Sequence, residues 1–266
     1  MTLSAACREV FAVAPAHVTA LHGGDLSEVL RVGLADGRVV VAKRGPLVGR
    51  EARMLAALAA AGAPAPRVLG ISGDVLFLEA LEEVRPGRAH WARFGADLAG
   101  LHADAGDAYG WEEDYAFGPV TIANAPVADW PGFWAERRLL PFVPGLAPEL
   151  ARRVERLASR LGERLPARPK AGLLHGDLWS GNLLPTPGAI HLIDPACYRG
   201  HGEVDLAMLH LFGQPGAGFA EGYGAPDPGW QERRAVYTLF PALVHLTLFG
   251  AGYRGLVERF LRESGV

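Results

Sequence analysis

Cysteine is nearly absent: Cys7 and Cys197 are the only two in 266 residues. They lie far apart in unlike surroundings and give neither a disulfide framework nor a metal-ligand cluster. A reducing, cytoplasmic setting is the expectation. Positive charge is not in excess either, with 26 basic residues against 29 acidic ones, a net charge of −3 and a pI near 6.3. That removes the argument for nucleic acid or an anionic membrane as the main partner. The first thirteen residues hold Arg8 and Glu9 within a short apolar stretch, without a basic leader before a long apolar core, so secretion is not expected. No uninterrupted apolar run reaches the roughly 20 residues of a spanning helix, because Pro241 and His245 interrupt the best candidate, 235–249. Repeats and low-complexity linkers are missing as well. What is present is 50% hydrophobic, enough to bury a full core and to fit one large domain or two lobes sharing a cleft. The expected partner is small or locally presented, and a monomer is the expected unit.

Periodicity and turn signals place the elements. A first helix is predicted over 3–10. Two Val-rich runs, 28–34 and 38–43, flank Ala35-Asp36-Gly37 and predict a β-hairpin. Leu and Ala at helical spacing over 49–61 stop at Gly62, with Pro64 and Pro66 blocking continuation. A second strand pair, 68–71 and 75–81, turns at Ser72-Gly73-Asp74. Beyond Glu82 the pattern becomes helical, over 90–104, 129–140, 148–165, 203–212 and 229–249. Two short strands, 183–184 and 190–193, interrupt it around Pro185-Thr186-Pro187-Gly188. The expectation is an α+β chain with a protein-kinase-like two-lobed fold: a small β-rich N-terminal nucleotide-binding lobe over 1–81, and a larger helical catalytic and substrate lobe over 82–266.

Phosphoryl transfer from a nucleotide needs a carboxylate on the attacking hydroxyl, metal ligands that bridge the phosphates, and a cation on the phosphates. Asp177 and Asn182 stand in the run His175-Gly176-Asp177-Leu178-Trp179-Ser180-Gly181-Asn182. Its His-x-Asp-x-x-x-x-Asn spacing matches a kinase catalytic loop, in which the Asp meets the hydroxyl and the Asn holds magnesium. Asp194 ends the apolar run 190–193 and offers a second hard oxygen ligand for that cation. Pro195-Ala196 stands where a protein kinase has Phe-Gly, so a regulated flip is not expected. Lys43 ends the second strand of the hairpin, where it points at the α- and β-phosphates with Glu51 of the next helix as its ion-pair partner. Gly23 and Gly24 are read as the phosphate-covering loop, where glycine lets backbone approach closely. Glu79-Ala80-Leu81 closes the second strand pair where the lobes meet, and its backbone groups are candidates for an adenine edge. ATP and Mg2+ are the implied cofactors.

The run 174–182, followed by Ile193-Asp194-Pro195-Ala196 and by 198–202, resembles the fructosamine kinase family, the ketosamine 3-kinases. Tyr109-Gly110-Trp111-Glu112, Asp129-Trp130 with Phe133, Arg137-Arg138-Leu139, Leu211-Phe212-Gly213 and Gly252-Tyr253-Arg254-Gly255 extend the resemblance over nearly the whole chain. It implies ATP-dependent phosphorylation of the 3-hydroxyl of ketosamines, small or protein-bound adducts of sugars with amines. The product decomposes, which amounts to repair. Two departures, Gln214-Pro215-Gly216 after Gly213 and Asn124 without the usual Pro-Gln before it, are expected near the acceptor pocket. The cysteine that some members carry in the phosphate loop is lacking, and with it their redox switch.

Of the neighbouring residues, Trp179 is read either as core or as a pocket wall that stacks on the sugar or meets the amine through a cation–π contact. Glu203 is entertained as a substrate contact and Asp205 as a brace or cap. His175 is read as structural. His191, Trp111 and Tyr253 receive no role. The rival readings are a kinase of the same fold for an aminoglycoside, which an acidic open pocket would favour, or for choline, which an aromatic cage would favour. A non-catalytic nucleotide-binding module is the rival of another class.

Overall fold

The computed structural model describes residues 1–21 and 28–266. Helix α1 (Leu3–Phe11) starts at Thr2, whose hydroxyl accepts the Ala5 N–H at 3.2 Å. Five strands follow around one helix: β1 (Pro15–Ala20), β2 (Glu28–Leu34), β3 (Val39–Arg44), α2 (Val48–Ala60), β4 (Val68–Ser72) and β5 (Val75–Glu79). They form one antiparallel sheet in the order β1-β2-β3-β5-β4. The β2–β3 turn relies on Gly37 at φ 90°, a conformation that glycine reaches without a Cβ penalty. Edge strand β1 was not expected from the sequence. It begins at a proline and is exposed along nearly its whole length, so it carries no apolar alternation to read.

The remainder is mainly helical: α3 (Arg88–Ala103), α4 (Trp130–Phe133), α5 (Pro148–Ala158), α6 (Glu203–Leu209), α7 (Phe219–Tyr223), α8 (Trp230–Phe249) and α9 (Arg254–Glu263). Three two-stranded ribbons are set among them. They pair β6 (Tyr115–Phe117) with β7 (Val120–Ile122), β8 (Gly172–Leu174) with β11 (Tyr198–Gly200), and β9 (Leu183–Pro185) with β10 (Ile190–Leu192). The helix expected over 129–140 is α for one turn only and continues as a π-helical turn, Trp134–Leu139, and a 3-10 turn, Leu140–Gly145. Pro141 and Pro144 cannot donate to an α ladder. The wide turn carries Arg138 into the interior, fully buried over the rings of Phe133, Tyr198 and Phe240. The helix expected over 148–165 likewise stops at Ala158, and α8 runs straight through Pro241. No helix among the described residues is long and apolar enough to cross a membrane.

The sheet lies between two apolar layers. On one face α1 brings Ala6 and Cys7 against Val32, Val40, Val75 and Phe77. On the other, α2 brings Val48, Ala52 and Leu55 against Leu76 and Leu78. The opposite side of α2, through Met54 and Leu58, joins the large core that holds Phe94, Trp130, Trp134, Tyr198 and Tyr237. Helix α2 is therefore shared by both parts of the molecule, and the residue it bears toward the cleft, Glu51, is fixed by both. The five-stranded sheet over a mainly helical body is the α+β architecture of the protein kinases.

Candidate active site

The strand β8 delivers the chain to His175, and the loop that follows is held by its own backbone donors. The N–H groups of His175 and Gly176 donate to Asp205 Oδ2 and Oδ1 at 2.7 and 2.9 Å. Asp205, in the first turn of α6, is fully buried and also accepts from His102 Nε2 at 3.2 Å. His102 Nδ1 then accepts from the Tyr223 hydroxyl at 2.8 Å. Asp205 is thus a brace for the loop. His175 Nε2 lies 2.9 Å from the Ile193 carbonyl, which can only accept. That fixes the tautomer, leaving Nδ1 to accept the Asp177 N–H at 3.3 Å. Burial depresses the His175 pKa, so the ring is a neutral spacer between the loop and the strand end. Gly176 sits at φ 83°, and a Cβ there would collide with the Ala196 carbonyl.

This frame sets the reactive groups. Asn182 Nδ2 donates to the Asp177 carbonyl at 2.8 Å and to Asp177 Oδ2 at 3.0 Å. Burial lifts the Asp177 carboxyl to about 7, with Asp194 and Asp205 adding to the rise while Asn182 and Lys43 oppose it. Asp194 takes a left-handed conformation, φ 53°, rare for a residue other than glycine. There its Oδ1 accepts from Lys43 Nζ at 2.7 Å, and the same Nζ lies 2.9 Å from Glu51. Burial alone would lower the Lys43 pKa, but the two carboxylates outweigh it and hold the ammonium above its ordinary value. Among the described residues Asn182 Oδ1 and Asp194 Oδ2 have no hydrogen-bond partner. An amide oxygen beside a carboxylate oxygen, with no soft donor, is a set that fits a hard divalent cation.

These residues open into one cavity of about 1000 Å³. Lys43, Glu51, Gly176, Asp177, Asn182 and Asp194 are among its lining, and so is Trp179. The Trp179 indole lies against the backbone of Gly181, where a Cβ would strike the ring. The pairing of Trp and Gly two residues apart in the loop therefore has a packing reason. Two parts of the lining were not anticipated. One is the β6–β7 ribbon, with Tyr115 and Phe117; burial and the nearby carboxylates keep the Tyr115 phenol protonated. The other is an aromatic wall from the turn after α6, from α8 and from the turn after α8: Phe212, His245, Phe249 and Tyr253. Tyr253, assigned no role from the sequence, is part of it. The alternation of aromatic residues in α8 and beyond was visible, but nothing local says which face meets the cleft.

Other sequence-predicted positions lie elsewhere. Glu203 does not reach the cavity; it is buried in a fork with Arg233 Nε and Nη2 at 2.6 and 2.5 Å. It gathers with His201 and Asp227 at a spacing that would suit a cation, but the guanidinium already holds both Glu203 oxygens. Glu79 gives its carboxylate to Arg67, at 2.9 Å to both the backbone N–H and Nε, and its own N–H to the Arg67 carbonyl at 3.0 Å. Neither Glu79 nor Leu81 lines the cavity. Asn124, expected at the acceptor pocket, is instead fully buried and accepts from Arg138 at 2.7 Å. Gly216 lies against the Trp91 indole of α3. Gly23 and Gly24 fall outside the described residues.

A catalytic-loop Asp and Asn, a strand-end Asp and a Lys–Glu pair across an α+β cleft define a kinase-type phosphotransferase. Known proteins agree. The fructosamine kinase family profile matches residues 4–264. A probable ketoamine kinase of Thermus thermophilus is 34% identical over 92% of both chains, and one of Synechocystis is 38% identical over 71% of this chain and 66% of its own. The crystal structure of a proposed fructosamine-3-kinase from Thermobifida fusca superposes with a TM-score of 0.88 at 33% identity, covering 99% of this chain and 98% of that one. A macrolide 2'-phosphotransferase shares the fold at a TM-score of 0.63 and 18% identity. The chain belongs to the fructosamine kinase family and is an ATP-dependent phosphotransferase.

Proposed function

We propose that this enzyme transfers the γ-phosphoryl group of ATP to the 3-hydroxyl of a ketosamine, small or attached to a protein lysine. The observation that carries this reading is the Lys43 ammonium bridging Glu51 and Asp194 in the cavity that Asp177, Asn182 and Trp179 also line. Asp177 orients the acceptor hydroxyl. The hydroxyl oxygen forms a bond to the γ-phosphorus as the bridging bond to the β-phosphate breaks, ADP leaves, and the hydroxyl proton passes to Asp177. Lys43 meets the α- and β-phosphates. Asn182 and Asp194 would hold magnesium, which neutralises phosphate charge when bound. Most of the rate comes from positioning and charge neutralisation. Once the 3-hydroxyl carries phosphate, loss of a proton from the amine-bearing carbon next to the ketone expels inorganic phosphate, and water hydrolyses the resulting imine and frees the amine. Two buried free thiols and a need for ATP suit a cytoplasmic enzyme, and one chain supplies every residue named.

A choline-type acceptor is the second reading, because the aromatic wall is the feature expected of it. Family membership over nearly the whole chain outweighs that feature, since the choline/ethanolamine kinase family protein of Mesorhizobium loti shares only the fold, at 17% identity and a TM-score of 0.60. The wall holds no carboxylate to meet a polycationic aminoglycoside. Phosphorylation assays with ribulosyl-lysine, fructosyl-lysine, choline and an aminoglycoside decide. Ketosamine turnover well above the other two is expected; preferential phosphorylation of choline overturns the reading.

A further inference from the structure

The acceptor end of the cleft is built from ring faces in mutual contact. Ring centroids run from Trp179 to Phe212 at 6.4 Å, from Phe212 to His245 at 5.3 Å, and from His245 to Phe249 and Tyr253 at 5.5 and 5.0 Å. Phe212 and Phe249 are each 47% exposed. Two large rings left half in water at the mouth of a catalytic cavity are apolar surface that a bound molecule can cover. The three carboxylates of the cavity, Glu51, Asp177 and Asp194, are gathered at the phosphate end, and two of them are tied to Lys43. An ammonium group at the far end therefore meets no counter-charge among the described lining residues. It meets the negative faces of rings, which attract a cation. His245 adds a polar acceptor. Its Nδ1 lies 2.7 Å from the Pro241 carbonyl, which can only accept, so Nδ1 carries the proton and Nε2 of the neutral ring is left to accept one.

We propose that Phe212, His245, Phe249 and Tyr253 form the subsite for the protonated amine of the acceptor and the chain attached to it, and that this subsite makes the enzyme select amine-bearing sugars over the free sugar. The proposal rests on the ketosamine reading and deepens it. The sugar stands at Asp177 beside Trp179, while the amine substituent leaves across Phe212 and Phe249 toward solvent. An exit of this kind admits a lysine stem that continues into a polypeptide.

The test compares ribulosyl-lysine with free ribulose, which has the same reacting hydroxyl and no amine. For Phe212→Ala and Phe249→Ala, the ratio of the two kcat/KM values should fall by roughly 3- to 30-fold, the range for losing one desolvated ring–cation contact. Phe249→Leu, which keeps apolar area without a ring, should fall with the alanine variant. A ratio unchanged in all three variants overturns the proposal. Calorimetric titration with choline and with its neutral isostere 3,3-dimethylbutan-1-ol reads the subsite without turnover. Preference for choline in the wild type, lost in both alanine variants, is expected; equal binding of the two probes overturns the subsite. If no ketosamine is phosphorylated, the functional reading falls, and this titration still decides the subsite. Thermal melts of the variants establish that they are folded.

Discussion

Asp177 and Asn182 are five positions apart in sequence and 3.0 Å apart in space, and that spacing made them legible before any fold was known. Replacing Asp177 by Asn should lower kcat by about 10²- to 10⁴-fold, the usual contribution of a positioned base, while ATP binding measured by calorimetry persists. Near-full ketosamine turnover in that variant would falsify its assignment. Gly181 makes a second test. Its Cβ-free backbone lies under the Trp179 indole, so Gly181→Ala should push the ring out of place, raising the acceptor KM more than the ATP KM. Equal changes in both would point to general loop damage instead. Glu203 marks the limit of residue-by-residue reading. An acidic residue that opens α6, two positions before the Asp205 brace, looks like a substrate contact until Arg233, thirty positions later, is found closing on it. Such a partner comes from α8, and no local pattern announces it.

Among elements, the helices expected over 129–140 and 148–165 stopped short, whereas α1, α2, α3, α8 and the Val-rich strands followed their periodicity to within a few residues. Edge strand β1 and the ribbons β6–β7 and β8–β11 did not, because three-residue or fully exposed strands carry too little alternation to be told from loop. The catalytic loop is an element as well, and its shape depends on Gly176 in a left-handed conformation under the Ala196 carbonyl. Gly176→Ala combines backbone strain with a clash and should cost on the order of 1–3 kcal/mol, measured by urea denaturation. It should also lose activity beyond that expected from the fraction unfolded, since Asp177 follows directly. A variant as stable and active as the wild type would remove the argument for a strained loop.

Across the whole molecule, stability has a pH dependence whose sign follows from buried histidines. Burial pushes His201 down to about 3, with Arg233 and His102 adding to the effect; it also contacts Glu203 and accepts from or donates to the Tyr237 hydroxyl. Unfolded, the ring titrates near 6.5. Between those values the unfolded chain binds the extra proton, so this contribution is complete above pH 6.5 and is lost as pH falls toward 3. His175 acts in the same direction. Asp177, lifted to about 7, acts in the opposite one, losing stability as pH rises from its unfolded value toward 7. His201→Asn, which retains a side chain able to bond Tyr237, should therefore flatten the decline in melting temperature between pH 7 and 4 relative to the wild type. An unchanged slope would exclude His201 as a source of it.

The sequence alone determined the reaction type. The His-x-Asp-x-x-x-x-Asn run, the strand-end Asp194 and the Lys43–Glu51 order are local patterns, and each residue's chemistry is fixed by its type and spacing. Tertiary structure decided what lies around them: that Asp194 and Glu51 share the ammonium of Lys43, which stands 151 positions before Asp194, that Glu203 and Glu79 are taken by arginines, and that rings from the turn after α6, from α8 and from the turn before α9 line one wall. Those contacts join segments distant in sequence, and only burial of the common core brings the segments together. The Asp177–Asn182 pair was readable because it is local; the aromatic wall was not, because it is assembled.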